Sequence, residues 1–171
     1  MILLKGRREA MKTQLVKRIF VQKEKCNGCR ICELRCSFEH EQKFSPALSR
    51  IYIQKVEIEG IAVPKVCIIC GKCIEACPEK VITKSEKTGS ILIDEENCTS
   101  CRECVIVCPY NVMKINPLTN KAMTCDLCNG NPQCVKYCPE AVLHYMTSIE
   151  FSSYRKDNEK KRAEEKPKVV P

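Results

Sequence analysis

The chain has no tryptophan, and only five tyrosines and four phenylalanines in 171 residues. So small a chain with so few large side chains cannot rely on hydrophobic burial alone. Long apolar runs are missing too. No stretch approaches the ~20 residues of a membrane-spanning helix, so no membrane span is expected. Near the N-terminus Met1-Ile-Leu-Leu is followed at once by Lys5, Arg7, Arg8 and Glu9. Glu9 to Phe20 holds no apolar segment that would turn Arg7-Arg8 into a twin-arginine export signal. Met11 is an alternative start to Met1. A cytoplasmic chain in a reducing compartment is the expectation. There are only two histidines, and no Gly-rich phosphate loop, nucleophile elbow or flavin fingerprint. No catalytic residue is therefore assigned. Nor do aromatics interleave with the basic residues as base-stacking platforms would, so no nucleic-acid partner is expected.

What the chain has instead is cysteine. Cys67-Ile-Ile-Cys70-Gly-Lys-Cys73-Ile-Glu-Ala-Cys77-Pro78 holds four thiols at spacings of three, three and four, then a proline. This is the bacterial ferredoxin signature for a [4Fe-4S] cluster. A cubane has four irons, each needing one thiolate. Three cysteines within seven residues let one loop wrap three corners. The fourth lies a helical turn further on, and in two-cluster ferredoxins it reaches the neighbouring cluster. Proline then ends the turn, lacking an N–H and disfavouring helix in the residue before it.

The figure occurs four times. Cys98, Cys101, Cys104, Cys108 and Pro109 repeat it unchanged. Cys26, Cys29, Cys32 and Cys36 repeat the spacing, with Ser37 where proline would stand. Cys125, Cys128, Cys134, Cys138 and Pro139 repeat it with a longer gap, Asn129 to Gln133, before the third cysteine. All 16 cysteines are used, four to a motif. Four [4Fe-4S] clusters are expected, forming part of the core, with an apoprotein that is largely unfolded. Two other uses of cysteine fit the sequence less well. A disulfide scaffold belongs to secreted chains, and no export signal is visible. Structural zinc usually pairs two C-x-x-C knuckles across a long spacer, whereas here three ligands crowd each loop. The irregular fourth motif is where zinc fits best. The formal charge of +8 counts cysteine as neutral. Four oxidised clusters with their thiolates carry about −8, so the lysines read as a solvated surface that balances them.

Between the motifs the chain reads as short strands and turns of an α+β fold. Arg18 to Lys23 alternates as a strand into the first motif. Without a proline after Cys36, the helix from Cys32 is expected to run on through Ser37-Phe-Glu-His40. Phe44 to Ser49 is a loop, Arg50 to Val56 a strand, Gly60 a turn and Ala62 to Val66 a strand. Val81-Ile-Thr and Ile91-Leu-Ile93 flank a turn with Gly89 at its tip, a hairpin. Val112 to Ile115 and Lys121 to Thr124 form another around Asn116 to Asn120, and Ala141 to His144 is a closing strand. Residues 1–17 are an extension, read as a helix for a partner. From Ser152 a charged tail is expected to be solvated, helical only in part, and disordered toward Pro171. Of the histidines, His40 either tunes a cluster or is an exposed loop residue, and the second is the expectation. His144 reads as a surface position of the closing strand.

These motifs, residues 26–138, resemble the four-cluster, ferredoxin-like electron-transfer subunits of molybdenum and tungsten oxidoreductases. Cys26-Asn-Gly-Cys29-Arg-Ile-Cys32-Glu-Leu-Arg-Cys36-Ser-Phe-Glu-His40, continuing through Pro46-Ala-Leu-Ser-Arg-Ile51, is similar to the small iron–sulfur subunit of tungsten-dependent aldehyde oxidoreductases. Close relatives of that group serve tungsten benzoyl-CoA reductases. The resemblance implies crossed ligand sets: Cys26, Cys29, Cys32 with Cys138; Cys125, Cys128, Cys134 with Cys36; Cys67, Cys70, Cys73 with Cys108; Cys98, Cys101, Cys104 with Cys77. It implies two ferredoxin-like modules, the second inserted in the first: an outer one over 18–66 and 110–151, an inner one over 67–109, with extensions 1–17 and 152–171. It implies an electron-transfer subunit beside a large tungstopterin catalytic subunit, passing electrons to a ferredoxin or another redox subunit. A free-standing polyferredoxin, or a subunit of another molybdenum or tungsten oxidoreductase or of a benzoyl-CoA reductase, is the alternative.

Overall fold

Residue 37 decides the first architectural feature. Ser37 keeps the backbone N–H that proline lacks, and helix α1 (Ile31–Glu41) runs eleven residues. It stops at Gln42, whose backbone turns left-handed (φ 52°) and donates its N–H to the Phe38 carbonyl. Phe44 then stacks on Phe38 with ring centroids 4.7 Å apart. In the other motifs proline follows the last cysteine and the helices are short: α2 (Lys72–Ala76), α3 (Glu103–Ile106) and α4 (Gln133–Lys136). There the chain reverses instead, with Lys80, Asn111 and Ala141 donating N–H bonds of 3.2 Å to the carbonyls of Cys77, Cys108 and Cys138.

A computed structural model of the chain describes residues 16–164 apart from 57 and 59. Most of the expected N-terminal extension, and the end beyond Glu164, lie outside the described residues. Within Arg18–Tyr145, a mixed α/β body of short strands and helices is consistent with a ferredoxin-like fold. Its strands are β1 (Arg18–Val21), β2 (Tyr52–Val56), β3 (Ile61–Lys65), β4 (Ile82–Lys84), β5 (Ile91–Ile93), β6 (Lys114–Ile115), β7 (Ala122–Met123) and β8 (Leu143–Met146). Among the described residues they form four two-stranded ribbons. β2 pairs antiparallel with β3, setting Ile53 opposite Pro64. β4 pairs with β5, Thr83 opposite Leu92, and β6 with β7, Lys114 opposite Met123. The fourth ribbon joins β1 to β8, and Gln22 extends it with an N–H bond of 2.8 Å to Val142. The closing strand begins later than the sequence suggests, because Ala141 is drawn into the left-handed turn after Pro139 (φ 47°).

The core mixes aliphatic side chains with sulfur. Ile51, Ile91, Leu127 and Val142 are almost fully enclosed, and eight of the sixteen cysteines are buried beside them. Helix α1 packs on α4, and α2 on α3, so the first motif meets the fourth and the second meets the third. Two polar ties hold α1. Buried Glu33 accepts the Ile53 N–H at 2.6 Å, and Glu41 accepts from the buried Asn116 side chain at 3.0 Å. Arg35 stacks its guanidinium 4.0 Å over the Tyr137 ring, from α1 to the residue after α4.

The second compact unit, described from Met146, is dominated by helix α5 (Ser148–Glu164). Its seventeen residues begin before the charged tail and include the tail's expected helical part; the end toward Pro171 lies outside the described residues. Thr147 and Glu150 form a reciprocal capping box: the Thr147 N–H donates to Glu150 Oε2 at 2.7 Å, and the Glu150 N–H to Thr147 Oγ1 at 3.2 Å. Among the described residues no helix is long and apolar enough to cross a membrane.

Candidate metal centres

Each motif bends its chain sharply around the second cysteine. The residues on both sides of it have positive φ: Gly28 and Arg30, Ile69 and Gly71, Ser100 and Arg102, Leu127 and Asn129. For a side chain other than glycine this conformation costs about 1–2 kcal/mol, and for β-branched Ile69 (φ 62°) it is a true outlier. Strain of that size persists only where surroundings over-determine it, commonly at functional sites. Gly28 is required for a further reason, since a Cβ there would meet the Ala62 Cβ at 3.2 Å. The bend carries Cys29, Cys70 and Cys101 to the surface, while the third cysteine of every motif faces inward and is buried.

Two hollows each bring four thiols together. Cys26, Cys29, Cys32 and Cys138 line one hollow, walled by Ile53, Pro64, Val142 and Leu143. Cys77, Cys98, Cys101 and Cys104 line another, walled by Val81, Ile82, Ile115 and Ala122. Elsewhere the electrostatics report proximity. Burial, then Cys67 and Cys70, push the Cys73 thiol up to about 11, and Cys67 in turn feels Cys70 and Cys108. Burial, then Cys36 and Cys128, push Cys134 up, and burial with Cys134 and Cys36 does the same to Cys125. Charge influences also cross between these groups: Cys32 raises Cys134, Cys67 raises Cys125, and Cys104 raises Cys73.

This donor set fits a thiolate-bound cluster. Four soft sulfurs face apolar walls and no imidazole lines either hollow, which suits iron–sulfur or zinc and not an oxygen-preferring cation. Burial, ahead of Glu33, lifts Cys32 to about 12, so its proton stays until a metal displaces it. The spacing favours a body larger than one ion. A zinc with Zn–S of ~2.3 Å holds its sulfurs roughly 3.8 Å apart. Among the described residues, which include every cysteine, no three thiols lie within 4.8 Å of one another.

The group that does lie so close is His40, Asp126 and Cys128. It is a hydrogen-bonded cluster rather than a cation cage. His40 Nδ1 is 2.8 Å from the Cys36 carbonyl and Nε2 is 3.0 Å from Asp126 Oδ1, so both ring nitrogens face oxygen acceptors. Arg50 Nη1 sits 3.1 Å from Asp126 Oδ2. Asp126 Oδ1 also accepts the Cys128 N–H at 3.0 Å, the same turn that Asn27 makes with Cys29 at 3.1 Å. Burial alone would lower His40, but the bonds to Asp126 and Cys36 outweigh it and raise it to about 10. Burial would raise Asp126, yet His40 and then Arg50 hold it at about 2. Cys36 behaves unlike the other cysteines with resolved shifts. Burial, which raises its thiol, is outweighed by His40 and by the Arg50 N–H 3.3 Å from its sulfur, so the net shift is downward.

His40 is thus corrected: it is not an exposed loop residue but a helical one whose side chain is 10% exposed. His144 lies in β8, half-buried rather than on the open surface. The longer gap of the fourth motif folds as a tight polar bulge, with Asn129 and Gly130 both left-handed and Gln133 buried on the Asn131 carbonyl. Sequence reasoning missed Arg50 and Asp126. The one available signal was the Asx residue after Cys125, matching Asn27 after Cys26.

Residues 66–112 match the 4Fe-4S dicluster domain family. Over 139 residues the chain is 39% identical to the polyferredoxin-like subunit of an aliphatic sulfonate oxidoreductase from Pyrococcus furiosus, covering 80% of this chain and 79% of the relative. It is 32% identical to the putative electron transport protein YsaA of Escherichia coli, over 80% of this chain and 94% of that one. Among solved structures it is similar to a chain of the active site complex BamBC of benzoyl coenzyme A reductase with benzoyl-CoA, at 26% identity, 83% and 88% coverage and a TM-score of 0.46. With its cysteine-lined hollows and 39% identity to the polyferredoxin-like subunit over 80% of its length, the chain belongs to the 4Fe-4S, ferredoxin-like electron-transfer subunits of oxidoreductases.

Proposed function

We propose that the chain carries four [4Fe-4S] clusters, on Cys26, Cys29, Cys32 and Cys138; on Cys125, Cys128, Cys134 and Cys36; on Cys67, Cys70, Cys73 and Cys108; and on Cys98, Cys101, Cys104 and Cys77. The observation that carries this reading is the pair of hollows, each lined by three thiols of one motif and the last thiol of another. The packing of α1 on α4 and of α2 on α3 supports an outer module (18–66 and 110–151) with an inner one (67–109) inserted. When bound, each cluster takes up and passes on an electron. The chain's own residues hold the sulfurs, bury the third thiol of every motif, and set the four sites in a row. The influences of Cys32 on Cys134, Cys67 on Cys125 and Cys104 on Cys73 support that order, which runs from the Cys29 site to the Cys101 site. Cys29 and Cys101 are exposed, so either end of the row is open to a partner.

The chain itself is non-catalytic in this reading. Its partner is a large catalytic subunit in a cytoplasmic complex, and a ferredoxin or another redox subunit takes the electrons. The stretch from Cys26 to Ile51 supports a tungstopterin partner that oxidises aldehydes. The sulfonate oxidoreductase relative supports an oxidoreductase partner and makes a sulfonate the second substrate class to assay. The test is to tag the subunit in its native host, isolate the complex without oxygen, and measure metals and substrate-dependent viologen reduction. About sixteen irons and as many sulfides per chain are expected. Zinc with little sulfide would defeat the cluster reading. A large partner with neither tungsten nor aldehyde activity would defeat the tungsten reading alone.

A further inference from the structure

The site of Cys36, Cys125, Cys128 and Cys134 differs from the other three. Each of those has one exposed cysteine, whereas here three are buried and Cys128 is half-buried. A cluster gains negative charge on reduction, and an enclosed, water-poor site opposes that gain. Hydrogen bonds to the ligand sulfurs work the other way. At Cys36 the N–H contacts to the sulfur are held in a closed ring of side chains. The Arg50 N–H points at Cys36 Sγ from 3.3 Å. The Arg50 guanidinium is held 3.1 Å from Asp126. Asp126 holds His40 at 3.0 Å, and His40 Nδ1 returns to Cys36, 2.8 Å from its carbonyl and 4.0 Å from its sulfur. Asp126 also fixes the Cys128 N–H, so the ring joins ligand segments 86 residues apart. Its side chains are only 10–20% exposed, so their bonds act at low effective dielectric.

Resting on the ligand sets proposed above, we infer that His40, Asp126 and Arg50 are positioning residues that keep this enclosed cluster reducible by fixing N–H donors on Cys36. Without the ring, its midpoint falls and the row of sites is interrupted next to the Cys29 end.

The experiment is an EPR-monitored redox titration of the holoprotein and of its H40A, H40Q and C36S variants, with iron and sulfide measured in each. C36S identifies the signal of this site. H40A is expected to keep about sixteen irons and to move that midpoint, and no other, to more negative values by at least a tenfold change in the reduction equilibrium, 59 mV for a one-electron couple. H40Q, which retains an N–H donor, is expected to move it less. Four unmoved midpoints in a fully loaded H40A protein would overturn the inference and leave the ligand sets standing. Loss of one cluster in both His40 variants would also overturn it, because the ring would then be purely structural. If C36S changed only the signal of the Cys26 site, the ligand sets would fall and the inference with them.

Discussion

Replacing Ser37 by proline, the residue that follows the last cysteine in the other three motifs, tests why the first motif is built differently. Ser37 is wholly buried at the seventh position of the eleven-residue helix α1. Its hydroxyl donates to the Leu34 carbonyl and accepts the Ser45 N–H, both at 3.0 Å. Ser37→Ala leaves the Ser45 N–H without that acceptor, a cost of about 1–2 kcal/mol. Ser37→Pro adds about 3 kcal/mol for the missing helix bond and the clash of its ring with the carbonyl four residues back. It also drives Cys36 away from helical geometry, so the damage falls on a proposed ligand. With tenfold for every 1.4 kcal/mol, local opening becomes roughly 10-fold more frequent in S37A and roughly 10³-fold in S37P. The assay is bleaching of the visible absorption of anaerobic holoprotein under excess chelator, with EPR to show which cluster leaves first. Loss through local opening scales with that equilibrium. The ordering expected is wild type slowest, S37A intermediate and S37P fastest, with one cluster lost ahead of the rest. An S37P protein that bleached at the wild-type rate would show that the long helix is dispensable, and the reasoning would fail.

Gly28→Ala should strain the first cysteine loop by about 1–2 kcal/mol for its positive φ, and by its contact with Ala62; adding Ala62→Gly should recover the contact part but not the φ part, as read by the same bleaching assay. Glu33→Ala leaves the buried Ile53 N–H without its acceptor, a loss of about 1–3 kcal/mol in anaerobic denaturant melts, whereas Glu33→Gln keeps an acceptor and should cost less. Thr147→Ala should cost about 1 kcal/mol of cap and raise hydrogen exchange in the first turn of α5 roughly fivefold. The Thr147 N–H and hydroxyl hold the Glu150 carboxyl below the usual carboxylate range. A lowered folded value stabilises above the ordinary pKa and stops doing so as pH falls through the lowered one. Wild-type protection in that turn should therefore decline in acid, and α5 protection that ignored pH would contradict the capping box.

Strands and hairpins were legible because their signals are local. Gly89 and the Asn116–Asn120 segment separate alternating runs, and β4–β5 and β6–β7 form there. The length of α1 was legible from a single missing proline. The helical part of the charged tail was legible but its start was not, although Thr147 and Glu150 already spelled a capping box. The ring around Cys36 was barely legible: the sequence offers His40 as a cluster-tuning residue, but not its partners. His40 and Asp126 are 86 residues apart, and only the packing of the first motif on the fourth brings them together. The left-handed bends at Ile69, Ser100 and Leu127 were hidden for the opposite reason: nothing in those side chains favours positive φ, and the loop imposes it.

The ribbon that joins β1 to β8 bears on how the protein is made. A ribosome delivers β1 about 125 residues before its partner, which at ~5–20 residues per second is a delay of roughly 6–25 s. Through that interval Ile19, later enclosed, faces water, and the thiols of Cys26, Cys29 and Cys32 stand open to oxygen and to stray metal. The segment from Cys67 to Cys108 is complete well before then. A synthesis arrested before Leu143 thus leaves the first-made strand as an unpaired edge.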